Sequence, residues 1–192
     1  MKQERGEYGY LNWRKKRALF HTLLMVGIGV AVFLIGLFLN KMEVSNVFTI
    51  AAVLMVLPAA KSLVAVIVLF PYKETNKEAK ERLDSYAKDG DTLFYDVVFT
   101  SSEKVMHLNQ IYVTDHQLIG ISLRKKDNLK AAKEYLEKEL GIRELSYVVF
   151  LTDEESALKK RMALRKQESA ETGQKESKEK QEVLEMLRTF TI

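Results

Sequence analysis

The sequence predicts an integral membrane two-helix hairpin followed by a small cytosolic α/β domain. Three observations carry that fold class. Two apolar runs, Ala18 to Leu39 and Val47 to Phe70, contain no Asp, Glu or Arg and share a single Lys. Each exceeds the ~20 residues a helix needs to cross ~30 Å of hydrocarbon, and neither shows the polar stripe of a soluble core helix. After Phe70 the pattern changes to amphipathic helices and alternating strands of ordinary globular length.

The hairpin occupies residues 18–70. A basic cytosolic segment, 1–17, precedes it. An α/β domain is expected over 73–166, and a disordered linker with a short C-terminal amphipathic segment over 167–192. The 192-residue chain thus has room for one small domain with its own core. Cysteine is absent, which excludes a disulfide frame, a thiolate metal site and a cysteine nucleophile. A basic start precedes the first run. Its ~22-residue apolar length and the second run directly after it predict an uncleaved anchor, since a signal peptide has a core of ~7–15 residues.

The net charge of +4 is localised. Residues 1–17 carry six Lys/Arg against two Glu, and residues 71–192 carry 22 Lys/Arg against 23 Asp/Glu. The soluble part therefore lacks the basic surplus of a nucleic-acid binder, and no such partner is expected. Arg14, Lys15, Lys16 and Arg17 abut the first span, and Lys73, Lys77, Lys80 and Arg82 follow the second. The link between spans, through Asn46, holds one Lys and one Glu. The positive-inside rule then predicts a multi-pass protein of the plasma membrane with both termini cytoplasmic. Trp13, Tyr10 and Tyr72 fall where interfacial aromatics belong, and the basic run suits anionic lipid headgroups at ~1 kcal/mol per residue.

Within the second span, Pro58 predicts a kink, because it has no N–H to donate. Lys61 lies near the centre, where insertion costs ~2.5–3.5 kcal/mol. It is read either as pairing with a partner or as snorkelling. Gly27 with Ala31, Gly29 with Gly36, and Ala52 with Ala59 predict close packing within the hairpin, with homo-oligomer packing as the second reading.

In the soluble part, Thr75-Asn76-Lys77-Glu78 predicts a capping box that opens a helix ending near Gly90. Thr92 to Thr100, Val105 to Thr114 and Gln117 to Leu123 predict a three-strand meander. Asp127 is expected to cap a helix stopped by Gly141. Leu145 to Leu151 predicts an apolar strand buried on both faces. Thr152-Asp153-Glu154-Glu155 predicts a further helix through about Lys166. Residues 167–180 lack apolar side chains and are expected to be disordered. Val183, Leu184, Leu187 and Phe190 return to helical spacing, as a docking helix or a frayed tail.

Chemistry-bearing residues are sparse. His21, His107 and His116 lack metal-ligand spacing, and His107 and His116 are expected to face solvent. No glycine-rich phosphate loop or hydrolase elbow is present. Asp96, among apolar strand residues, is the domain's candidate site carboxylate, with a solvent- or Arg-facing role as the simpler expectation. Lys159-Lys160-Arg161 predicts a solvated helix face.

The order helix–strand–strand–strand–helix–strand resembles the core of the restriction-endonuclease-like PD-(D/E)XK superfamily. Asn109-Gln110-Ile111-Tyr112-Val113-Thr114, a turn, then Leu118-Ile119-Gly120-Ile121 resembles the nuclease-related (NERD) pattern, over residues 75–151. There, Gln/Glu-Ile-Asp opens one strand and Glu-x-Lys ends the next. The resemblance implies clustered carboxylates on Mg²⁺ and a Lys that steers water. This chain has Tyr112 in place of the Asp, and Gly120-Ile121-Ser122 or Ser122-Leu123-Arg124 in place of Glu-x-Lys. The resemblance therefore implies a degenerate core, with no catalytic, cofactor or metal residues. The expectation for function is a non-catalytic scaffold or adaptor, held in the bilayer and binding a protein partner or its own copy. The alternatives are an accessory subunit of a membrane transport assembly using Lys61, and a membrane-tethered nuclease-like module.

Overall fold

The computed structural model describes residues 3–101, 104–124, 128–164 and 175–191. The chain divides into two compact units, Met1–Leu11 with Lys73–Ile192, and Asn12–Tyr72.

The second unit is a pair of apolar helical segments. Helix α1 spans Tyr10–Leu39, starting a turn before the apolar run. A tight turn follows in which Lys41 and Met42 take positive φ. Asn46 then caps α2 (Val47–Leu54) by accepting from Thr49 N at 3.0 Å. The helix breaks at Met55 and resumes as α3 (Val56–Leu69). The break lies three residues before Pro58, whose nitrogen has no proton to donate to the Leu54 carbonyl. By length and hydropathy both helices, Tyr10–Leu39 and Val47–Leu69, are able to cross a membrane. Gly36 is required for their approach: a Cβ there would sit 2.4 Å from Phe48 Cβ. Gly29 lies against Met55 and Ala52, whereas Gly27 meets nothing within 4 Å. Gly29 and Gly36 thus pack the pair as expected, and Gly27 does not.

The other unit is a four-stranded mixed sheet with helices on both faces. Its elements are α4 (Lys77–Asp84), β1 (Thr92–Thr100), β2 (Val105–Val113), β3 (Gln117–Ile121), α5 (Leu129–Ile142), β4 (Val148–Thr152), α6 (Glu155–Leu164) and α7 (Lys175–Phe190). The strands lie in the order β1-β2-β3-β4. The first three pair antiparallel, and β4 returns through α5 to lie parallel to β3.

On one face, Leu136 and Leu140 of α5 and Val183, Met186 and Leu187 of α7 meet Phe99, Leu108, Val113 and Leu118. On the other, Leu83 of α4 and Leu158 and Met162 of α6 meet Tyr112, Ile119 and Ile121. The C-terminal segment is therefore a docked helix. Residues 175–180, expected to be disordered, form its first turns; 165–174 lie outside the described residues. Val183 is placed at i, i+3 and i+4 from Met186 and Leu187, so these three fill the same side of α7 and bury against the sheet.

Three further boundaries differ from expectation. β4 starts at Val148, lies at the edge of the sheet beside β3, and is half-buried rather than covered on both faces. Asn128 caps α5 by accepting from Ala131 N, and Asp127 lies outside the described residues. α4 stops at Asp84, and its cap is Asn76, which accepts from Ala79 N at 2.7 Å, because Thr75 is engaged elsewhere.

Candidate functional site

The sheet's alternation breaks at one place, and the domain's polar groups gather there. In an uninterrupted strand, residues three apart face opposite sides. Yet Phe94 and Val97 of β1 join the same core, as do Leu108 and Ile111 of β2. Both strands switch phase at facing positions. The ladder pairs Tyr95 with Gln110 and Val97 with Leu108, and skips Asp96 and Asn109 between them. Asp96 carries the distortion with φ of +46°. Such a conformation is strained for a residue with a Cβ, although Asp tolerates it better than most.

The four residues at the switch, Tyr95, Asp96, Asn109 and Gln110, turn their polar groups to α4 and the segment before it. The Asp96 carboxylate accepts from Thr75 N at 3.0 and 3.1 Å and from Thr75 Oγ1 at 2.6 Å. Asn109 Nδ2 donates to the same hydroxyl at 3.0 Å, and Asn109 Oδ1 accepts from Leu123 N at 2.7 Å. His107 Nε2 lies 3.9 Å from Asp96 Oδ1. The Tyr8 hydroxyl donates to the Thr75 carbonyl at 2.8 Å. One threonine thus joins the N-terminal segment, β1 and β2.

A second group adjoins α4. Asp84 accepts from Tyr95 Oη at 3.0 Å and Gln110 Nε2 at 2.7 Å, and pairs with Lys80. Lys80 lies over the rings of Tyr95 and Tyr8 at 4.9 and 5.4 Å.

Burial pushes the Asp96 carboxyl above its ordinary range; the Thr75 hydroxyl and amide, His107 and Asn109 oppose that shift. Burial, with the neighbouring Asp84 carboxylate, pushes the Tyr95 hydroxyl up as well. The chemistry available is proton holding and rigid cross-linking. Asp96's oxygens are directed at Thr75 and its neighbourhood. Among the described residues no group of three or more His, Asp or Glu is arranged to hold a metal ion.

Two expectations are corrected here. Asp96 faces neither solvent nor an Arg; it is 3% exposed and bonded to Thr75. His107 is buried, not solvent-facing, because the phase switch leaves it beside Asp96. His116 is exposed, as expected. Sequence reading missed Thr75, Asn109 and Tyr8 as members of this cluster. The available signal was two adjacent polar pairs, Tyr95-Asp96 and Asn109-Gln110, inside otherwise apolar strands.

The positions singled out by the nuclease resemblance are occupied by structural contacts. Tyr112 is fully buried and its hydroxyl donates to the Leu83 carbonyl at 2.8 Å. A Cβ at Gly120 would lie 2.7 Å from Leu151 Cδ2 and 3.2 Å from Leu108 Cδ1, so a longer side chain there meets core atoms. Ser122 Oγ accepts from Arg124 N at 3.2 Å.

In the helical unit, Lys15 Nζ donates to the Tyr72 carbonyl, and Arg17 lies 5.1 Å over the Trp13 ring. Lys16 and Arg17 are exposed, while Arg14 and Lys15 are half-buried. An apolar groove of about 300 Å³ runs between α1 and α2–α3, lined by residues such as Met25, Gly29, Phe33, Ala52 and Ala59. Lys61 does not line it and is exposed on α3.

No protein-family model matches this chain, and no curated protein or solved structure is significantly similar to it.

Proposed function

We propose that this chain is a membrane-anchored, non-catalytic scaffold whose hairpin spans the bilayer and whose α/β domain is presented in the cytosol. The observation that carries the reading is the engagement of Asp96. The one buried carboxylate at the phase switch is bonded to Thr75 N and Oγ1, which ties it to a structural role. Tyr112 and Gly120, at the positions where the nuclease pattern has acidic residues, serve the core instead.

The packing of the chain's first residues supports the topology. Residues 3–11 precede the first span and residues 73 onward follow the second, yet both belong to one compact unit. Gly6 O accepts from Tyr95 N at 2.8 Å, covering the open edge of β1, and Arg5 Nη1 donates to the Arg188 carbonyl at 3.0 Å. A hairpin that crosses the bilayer twice returns the chain to the side it left, which is the side this packing requires. The basic run Arg14–Arg17 makes that side cytoplasmic, next to anionic headgroups.

The absence of native cysteine makes the test direct. In intact cells an impermeant maleimide labels a Glu43→Cys variant, whereas Glu4→Cys and Lys104→Cys react only after permeabilisation. Labelling of Glu4→Cys and Lys104→Cys from opposite sides overturns the hairpin. Mg²⁺-dependent DNA cleavage by the full-length protein, lost in Asp96→Asn, overturns the non-catalytic reading.

A second reading, an accessory subunit of a membrane transport assembly, is favoured by the placement of Lys61 on an outward face of α3.

A further inference from the structure

We infer that the Lys61 face of α3 is a docking surface for a transmembrane helix of another protein that carries a carboxylate at the same depth. The inference rests on the reading of the hairpin as bilayer-spanning.

Leu57, Lys61 and Val64 follow one another at helical spacing on a single outward stripe, with Leu57 and Val64 both more than half exposed. The groove between the helices opens on other residues, so the ammonium is not directed into the hairpin. Nor does the hairpin hold a counter-charge at that depth. Between Asn12 and Tyr72 the sole carboxylate is Glu43, in the turn beyond the start of α2.

Headgroups are poorly placed for Lys61. The end of α3 at Leu69 is eight residues away, ~12 Å along the axis, and the start of α2 at Val47 is fourteen away, ~21 Å. The side chain of a helical lysine leans toward the helix N-terminus, here the more distant end. A four-carbon stem spans neither distance unaided.

A cation on an apolar stripe calls for a partner offering a carboxylate, not for lipid tails. A second copy of this chain fits badly. Two-fold contact through this stripe brings two ammonium groups together with no carboxylate between them.

The test uses full-length protein in phosphatidylcholine vesicles with synthetic transmembrane peptides as probes. Each peptide is a Leu/Ala helix of roughly 20 residues. One carries Glu at the depth of Lys61, and the controls carry Gln or Leu there. Association is read by energy transfer. The Glu peptide is expected to bind roughly three- to thirtyfold more tightly than the Leu peptide, the range for polar contacts between membrane helices. That preference disappears with Lys61→Met and returns, with charges exchanged, for Lys61→Glu against a Lys-bearing peptide.

Equal binding of all peptides overturns the inference. So does retention of the preference in Lys61→Met, or self-association that depends on Lys61. Loss of the preference on adding phosphatidylglycerol also overturns it, since that places the ammonium among headgroups. A cysteine at Val30, read with aqueous maleimide in the same vesicles, separates the two failures. Reaction at Val30→Cys means the hairpin does not span, and the inference falls with it. Protection there, with indifferent peptides, removes the docking surface alone.

Discussion

The two faces of the sheet use different means to hold their helices. The face under α5 and α7 is dry: Leu136, Leu140, Val183 and Leu187 meet Phe99, Leu108, Val113 and Leu118, with aromatic contacts from Phe99 through Tyr135 to Phe190 at its margin. The face under α4 and α6 has a smaller apolar core and sets beside it the polar cluster of Asp96, Asn109, Thr75, Asp84 and Gln110. Burial of apolar area is nondirectional and tolerates small shifts, whereas a buried carboxylate requires its donors in place. The dry face therefore supplies the greater part of the stability. The polar face determines where α4, and the chain that enters it, must sit.

The largest expected effect is on the dry face. Leu136→Ala removes a fully buried side chain and is expected to cost ~2–5 kcal/mol, read as a lowered denaturant midpoint of the full-length protein in detergent. A cost below that of a surface substitution would mean that α5 is not packed as described.

Next in size is the polar face. Asp96→Ala leaves the Thr75 amide and hydroxyl without their acceptor, at about 1–3 kcal/mol. Because the pair acts as a unit, Asp96→Ala combined with Thr75→Val is expected to cost less than the sum of the two single changes. Strict additivity in that cycle would separate the two residues and remove the clasp.

The smallest effect sharpens the comparison through pH. Burial raises the Asp96 carboxyl, so the folded state holds its proton more firmly than the unfolded chain does. That contribution is fully present below the ordinary carboxylate range of about 4 and is lost as pH rises through the raised folded value. The stability of the wild type relative to Asp96→Asn is therefore expected to decline from about pH 4 upward and then level off. A difference that is flat with pH, or that rises, would place the carboxyl at or below its ordinary range.

The phase switch explains which parts were legible in the sequence. Element order was readable because helical and strand periods are local: Leu129, Ala132, Leu136 and Leu140 lie on one helix face whatever they later touch. Asp96 and His107 were misplaced because alternation was extended through a position with φ of +46°, and strict alternation puts a strand polar group toward solvent. The capping pattern at Thr75 was read by local spacing, which cannot detect a carboxylate 21 residues away competing for the same hydroxyl. The neighbouring Asn76 performs the capping instead.

By itself the sequence determined two long apolar helices, the helix interruption near Pro58, the place of Lys61 within the second apolar helix and the succession of helices and strands in the domain. Each of these depends on the chemistry of a residue and its near neighbours along the chain. Tertiary structure alone decided that Gly6 covers the edge of β1, that α7 docks against the sheet, that Thr75 clasps Asp96 and that Lys61 points away from the groove. Those outcomes depend on groups far apart in sequence competing for the same donors, acceptors and buried area, and such competition is resolved only when the whole chain is packed.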